Sequence, residues 1–184
     1  MASEQGDEMA DKSFAEALND QIPVEFGAHQ QYIAIAVWFE SETLPQLAGF
    51  YYRQAVEERN HAMMITQYLL DRDLEVTVPG VGAPKTSFSG IAEPVRLGLE
   101  QEKQVTVNFN EIAAAARADG DFQGEQFVQW FLNEQVEEVS TASDLLTTVE
   151  REKSAREIEE YAARELAAAQ DADPLAPGAA GGAL

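Results

Sequence analysis

Glu58 and His61, three residues apart in the stretch AVEERNHAMM, place a carboxylate and an imidazole on one side of a helix. Turned to water, such a pair does no chemistry. Turned inward, it needs a partner, and a divalent metal is one that both groups bind. Three further glutamates repeat the pattern, one in each of the other long helical stretches. Projected at about 100° per residue, Glu25 falls at the centre of a stripe formed by Phe14, Leu18, Tyr32, Ala36 and Phe39. Glu58 is centred among Leu47, Tyr51, Ala62, Ile65 and Leu69, and Glu102 lies with Ile91, Val95, Phe109 and Ala113. Glu138 is centred among Phe127, Phe131, Leu145 and Val149. Four helices therefore each carry one acid in the middle of the face they should bury.

Four carboxylates converging in an apolar core repel one another and are costly to desolvate. Partial protonation relieves the strain; two divalent cations relieve it better, because their charge matches that of four glutamates. His61 and the amide oxygen of Gln135, which shares an inner face with Glu138, complete a mixed oxygen and nitrogen shell. A shell of that kind, with no thiolate, suits iron or manganese rather than structural zinc.

Helical periodicity dominates the chain that must position these groups. The first helix is expected from about Ser13, as N-cap, to Glu40, and the second from Thr43, as N-cap before Pro45, to about Asp73. The third runs from about Ile91 to Ala118, the fourth from Asp121, as N-cap, to about Arg151, and a shorter fifth over roughly Ala155 to Ala169. Short connections make the first two and the next two antiparallel neighbours. The segment LEVTVPGVGAPKTSFSG, broken by proline and glycine, has to cross the length of the bundle. The fold class is all-α: a four-helix bundle with one long crossover and a short C-terminal helix. Residues 13–169 form the domain, between a mobile N-terminal segment at 1–12 and a flexible tail at 170–184. Glu25 and Glu58 lie 16 and 15 residues from their shared turn, and Glu102 and Glu138 each lie 18 from Gly120. At about 1.5 Å of rise per residue, the four acids meet within roughly one turn.

The 184 residues carry a formal net charge of −21, a surface that repels nucleic acid and anionic membrane and attracts cations. The absence of cysteine excludes disulfides, thiolate metal sites and cysteine nucleophiles. No apolar run is long enough for a transmembrane helix, and the polar start MASEQGDEMADK is no signal peptide, so a cytoplasmic location is expected.

The segments VEFGAHQQYIAIAVWF, QAVEERNHAMM, LEQEKQVT and QWFLNEQVEEV, in this order and spacing, resemble the four metal-binding helices of a prokaryotic non-haem ferritin, closest to the actinobacterial type. The resemblance implies a ferritin-like bundle that oxidises Fe(II) with O2 or H2O2 and stores ferric mineral in a hollow 24-subunit shell. It also implies iron storage and detoxification as the role. Glu25, Glu58 and His61 match the ligands of a first iron, Glu58 bridges to a second, and Glu102 and Glu138 are that second iron's acids, with Gln135 beside it. A third iron position is similar to one built from Glu57, Glu134 and Glu137. Tyr32 matches a tyrosine beside the diiron centre and Trp130 an aromatic position on the fourth helix. Arg59 stands where bacterioferritins have a haem-ligating methionine, so no haem is expected, and Met63 and Met64 read as packing residues. His29, where relatives commonly have a small residue, reads as structural. Asp119, Asp121 and Glu125 fall where such subunits meet at a three-fold axis, and rings of acids there would steer Fe(II) inward. The expected partners are Fe(II), the oxidant and other copies of the chain, with the proline-rich tail a candidate for docking to a larger assembly. Two other readings stay open: a diiron peroxidase or oxidase that retains its metals, and an inert helical scaffold.

Overall fold

The computed structural model describes residues 12–151, 154–167 and 173–184. Among them are five α-helices: α1 (Phe14–Ser41), α2 (Pro45–Asp71), α3 (Ala92–Ala118), α4 (Phe122–Arg151) and α5 (Ala155–Tyr161). The four long ones form the bundle, with α1 packed chiefly on α2 and α3 on α4. No helix among the described residues is long and apolar enough to cross a membrane.

Helix α1 starts where expected. Ser13 accepts from the Glu16 N–H while the Glu16 side chain returns to the Ser13 backbone, a reciprocal capping box. The start of α2 differs from the sequence expectation. Thr43 is not its N-cap; Leu44 takes that place without a side-chain cap, and Thr43 has φ of 63°. The reason is that Thr43 already terminates α1. Its N–H bonds the Glu40 carbonyl at 3.0 Å, and the Leu44 N–H bonds that of Phe39 at 2.9 Å, a paired closure that requires a left-handed residue. Leu44 and Phe39 then meet in the core. The same closure ends α2 at Asp73 (φ 55°) and α3 at Gly120 (φ 70°).

The crossover between α2 and α3 is held to α1 by two amide side chains acting as strand-like partners. Asn19 donates to the Glu75 carbonyl and accepts from the Thr77 N–H, both at 2.8 Å. Twelve residues further along the same helix, Gln31 makes the equivalent pair with Lys85, both bonds 2.9 Å. Beyond α4, the expected single helix over 155–169 is corrected: α5 stops at Tyr161 and the chain widens into a π turn, Ala162–Leu166. Residues 168 and 169 of that expectation lie outside the described residues, as do 1–11 of the expected N-terminal segment and 170–172 of the expected tail. Residues 173–184, expected to be flexible, lie against the bundle. The Ala180 N–H reaches the Met63 carbonyl at 3.0 Å, and the Leu184 N–H reaches Asn60 Oδ1 at 3.1 Å.

The core is two apolar layers. One contains Leu18, Ile22, Ile65, Leu69, Phe109 and Phe131; the other contains Tyr32, Phe39, Leu47, Tyr51, Val95 and Leu145. On every long helix, the acid singled out in the sequence falls between its residues in one layer and those in the other.

Two backbone positions test this account. Thr43→Gly removes the left-handed strain of a β-branched residue and is expected to stabilise by roughly 1 kcal/mol. At Gly124, a Cβ would sit 2.4 Å from Phe14 Cε1. Gly124→Ala should therefore destabilise by about 1–3 kcal/mol. Chemical denaturation reads both, and a reversed order would refute the assignment of these two sites.

Candidate metal centre

Between the two apolar layers lies a belt of polar side chains. Glu25 is 0 % exposed, Glu58 1 %, Glu102 and Gln135 2 %, His61 5 % and Glu138 9 %. Each helix brings its acid there for the reason the periodicity gives: the residues seven positions away on either side are in the core. One ligand atom each from Glu25, Glu58 and His61 lies within 4.8 Å of the others, and so does one each from Glu58, Glu102 and Glu138. The two sets share Glu58.

Among the described residues nothing neutralises these acids fully. Oε2 of Glu25, Glu58 and Glu138 are buried without a hydrogen-bond donor. Burial pushes Glu25 up to about 7, against the opposing pull of its hydrogen bond to Gln21. Burial, followed by the charges of Glu102, Glu25 and Glu138, drives Glu58 well above the usual carboxylate range. Glu138 is raised likewise, by burial and then by Glu102. Glu25 lies against Glu58, and Glu102 against Glu138, within reach of a shared proton. His61 moves the other way: burial pushes it down to about 4, leaving the ring neutral with a lone pair to offer. Its Nδ1 stands 3.5 Å from Glu58 Oε2 and 4.0 Å from Glu25 Oε2. Protonation relieves these raised carboxyls in part, and cations would relieve them better.

A supporting layer fixes the acids. Gln21, one turn before Glu25, donates to Glu25 Oε1 at 2.7 Å and is itself held by Asn108 at 3.0 Å. The Tyr32 hydroxyl donates to Glu102 Oε1. Gln135 reaches the site, but its amide nitrogen, not the expected oxygen, faces the cluster: Nε2 donates to Glu102 Oε2 at 3.1 Å and to the Glu102 carbonyl at 3.0 Å. A carboxylate beside an amide draws the donor end first. Gln21 and Asn108 were missed in the sequence, although Gln21 sits four residues before Glu25 on the same face and so carried a readable signal. Tyr51, seen there as a core residue, packs on Tyr32 with ring centroids 5.5 Å apart.

The remaining sequence candidates take other positions. Glu57, Glu134 and Glu137 lie beside the belt but do not gather three ligand atoms to one point as the central sets do. Burial still pushes Glu57 up to about 7, partly offset by Gln54 and Arg53. Asp119, Asp121 and Glu125 are at the end of the bundle, and each has work inside the subunit. Asp119 accepts from the Phe14 N–H at 3.0 Å. Asp121 caps α4 through the Gly124 N–H at 2.9 Å and pairs with Arg72 at 3.0 Å, while Glu125 pairs with Arg117. His29 donates Nδ1–H to the Ala55 carbonyl at 2.5 Å, stitching α1 to α2. Trp130 packs edge-on against His61 at 5.7 Å and donates to Asp173 at 2.7 Å. Met64 is a core residue, as expected.

With that geometry in view, comparison with known proteins is decisive: residues 15–152 match the Ferritin-like domain family. The chain belongs to the ferritin family. Among its relatives, Ferritin BfrB of Mycolicibacterium smegmatis is 52 % identical over 175 residues, 95 % of this chain and 96 % of that protein. The bacterial non-heme ferritin of Staphylococcus aureus is 41 % identical over 132 residues, 72 % of this chain and 80 % of that one. In three dimensions, an open pore ferritin from the archaeon Archaeoglobus fulgidus superposes with a TM-score of 0.80 at 28 % identity, covering 85 % of this chain and 97 % of that one. The four-helix bundle with its short C-terminal helix is thus the ferritin-like fold.

Folding raises several carboxyls of this ferritin above their unfolded values. The metal-free protein is therefore most favoured while they are protonated, and loses stability as pH climbs through the raised values. His61 opposes this only below its unfolded value of 6.5, above which it is neutral in both states. From about pH 6.5 to 8, then, the melting temperature of the metal-free protein is expected to fall by about 5 °C or more. Added Mn²⁺ should restore it, and Glu138→Gln should flatten the slope. A level melting profile in the metal-free wild type would show that these acids are not desolvated.

Proposed function

We propose that this ferritin oxidises Fe(II) to Fe(III) at a centre of two irons within the subunit and stores the product inside a hollow 24-subunit shell. The observation that carries the reading is the pair of overlapping ligand sets sharing Glu58, with three buried carboxylate oxygens that have no donor. Glu25, Glu58 and His61 bind one Fe(II). Glu58, Glu102 and Glu138 bind the other, with Gln135 steadying Glu102. The predominantly oxygen ligands suit a substrate metal that arrives as Fe(II) and departs as Fe(III), since carboxylates bind both without locking either.

Each Fe(II) gives up one electron. Dioxygen accepts the two electrons together with two protons from solvent and leaves as hydrogen peroxide. The protein's part is to hold two like charges side by side, which four carboxylates make tolerable, and to keep the site dry between apolar layers. Tyr32, hydrogen-bonded to Glu102, holds that ligand in place. An assembly of many copies is in keeping with the ferritin relatives, and the strongly negative chain gives a shell wall that attracts ferric ions.

Aerobic addition of Fe(II) to the purified protein tests the proposal. Ferric absorbance is expected within seconds, and far more than two irons per chain should remain in a particle much larger than the monomer. Glu58→Ala, which removes the shared ligand, should slow the initial oxidation about 100-fold. An unchanged rate in that variant would refute the site. Iron uptake that stops at two per chain would instead identify an oxidase that keeps its metals.

A further inference from the structure

Three amide side chains run in single file from the surface of α3 to the buried Glu25. Gln104, exposed on α3, donates from Nε2 to Asn108 Oδ1 one turn further on, at 3.0 Å. Asn108, half-buried, donates from Nδ2 across to Gln21 Oε1 on α1, also at 3.0 Å. Gln21, 2 % exposed, donates from Nε2 to Glu25 Oε1 at 2.7 Å. Each amide therefore turns its nitrogen toward the buried acid and its oxygen toward the surface.

The polarity of the file follows from its buried end. A carboxylate only accepts, so it takes the nitrogen end of Gln21. That leaves the Gln21 oxygen for Asn108, which has to donate, and the Asn108 oxygen for Gln104. The two ends of a primary amide are nearly equal in size, and turning one over costs little sterically. Within the file, a turn at Asn108 sets like ends against each other on both sides of it. The consequence falls on Glu25. Its Oε1 is taken by Gln21, while Oε2 has no donor and lies 4.0 Å from His61 Nδ1. The orientation set on α3 thus decides which oxygen of Glu25 is left for a metal.

We propose that Asn108, with Gln104 behind it, is a positioning residue for metal bound by Glu25: it fixes the polarity of the Gln21 amide and so leaves Oε2 of Glu25 as the binding oxygen. The inference rests on the metal-binding reading of the belt. It adds that affinity at the set of Glu25, Glu58 and His61 is governed from α3, a helix that gives that set no acid and no imidazole. Asn108 acts one residue removed from the belt, through Gln21.

The test adds Co²⁺ alone to the full-length, metal-free protein after its size has been checked. Equilibrium titration gives the affinity. Infrared difference spectra give the separation of the two carboxylate stretches, wide for a carboxylate bound through one oxygen and narrow for one bound through both. Asn108→Asp is nearly isosteric but only accepts, so it competes with Glu25 for the nitrogen of Gln21. It should weaken the binding of one Co²⁺ per chain about tenfold and diminish the widely separated bands. The added charge by itself would tighten cation binding, so unchanged or tighter binding would overturn the proposal. Gln21→Met should weaken binding to a similar degree, and Asn108→Asp added to it should change neither affinity nor bands further. An effect of Asn108→Asp that persists in full beside Gln21→Met would also overturn it, because Asn108 would then not act through Gln21. Should Asn108→Asp fail to assemble, Asn108→Leu decides: a loss of about threefold or more is expected, and wild-type affinity and bands would remove Asn108 from the site. Failure of the wild-type protein to bind Co²⁺ would instead sink the metal-centre reading itself, a distinct result.

Discussion

The structure depends on a contest between desolvation and charge in one thin belt. Four glutamates from four helices are held away from water between two apolar layers, and three of them keep an oxygen with no donor. Such groups lower stability on their own. They are tolerated because the layers on either side bury whole aliphatic and aromatic side chains, including Phe39, Phe109 and Phe131, which supply the apolar free energy that the belt does not. Protons are the least demanding occupants. A proton held between Glu25 and Glu58 cancels one charge of the belt; a divalent cation cancels more. The belt is therefore supported by its apolar flanks and strained enough to bind.

Convergence to one height is achieved by the ends of the helices as much as by their faces. Left-handed residues at Thr43, Asp73 and Gly120 stop α1, α2 and α3 by the same hydrogen-bonded closure. Because each stop is fixed to a residue, the distance from stop to acid is fixed too. Asn19 and Gln31 then hold the crossover alongside α1, so that α3 begins at the correct end of the bundle. Precision at the belt comes last, from Gln21, Asn108, Tyr32 and Gln135, which restrict the carboxylates to a few orientations.

Much of this was legible in the chain, because helical periodicity and the two turns constrain both direction and height. Glu25, Glu58, Glu102 and Glu138 could be placed on inward faces without coordinates, and so could His61 and Gln135. What was not legible depends on choices that periodicity does not make. Thr43 can cap the helix that follows or close the one before, and the pairing of Leu44 with Phe39 decides for closure. An amide has two ends, and the charge of Glu102 selects the nitrogen of Gln135. At the α3–α4 turn the capping role of Asp121 was legible, but the bond of Asp119 to the Phe14 N–H, reaching a different helix, was not. The small-residue tail has no periodic signal of its own, so its contacts with Met63, Asn60 and Trp130 could not be foreseen.

The belt is also asymmetric, and the asymmetry bears on exchange. Around His61 and Glu25, aromatic edges of Trp130 and Phe131 flank the imidazole, and a hydrogen-bonded amide backs the carboxylate. Around Glu138 the neighbouring acids Glu57 and Glu137 continue the negative surface outward. Under the proposed oxidation, Glu58, common to both sets, is where the position of one metal is felt by the other. A shared ligand and apolar layers above and below together let a buried site be dry enough for electron transfer while its carboxylates stay exchangeable.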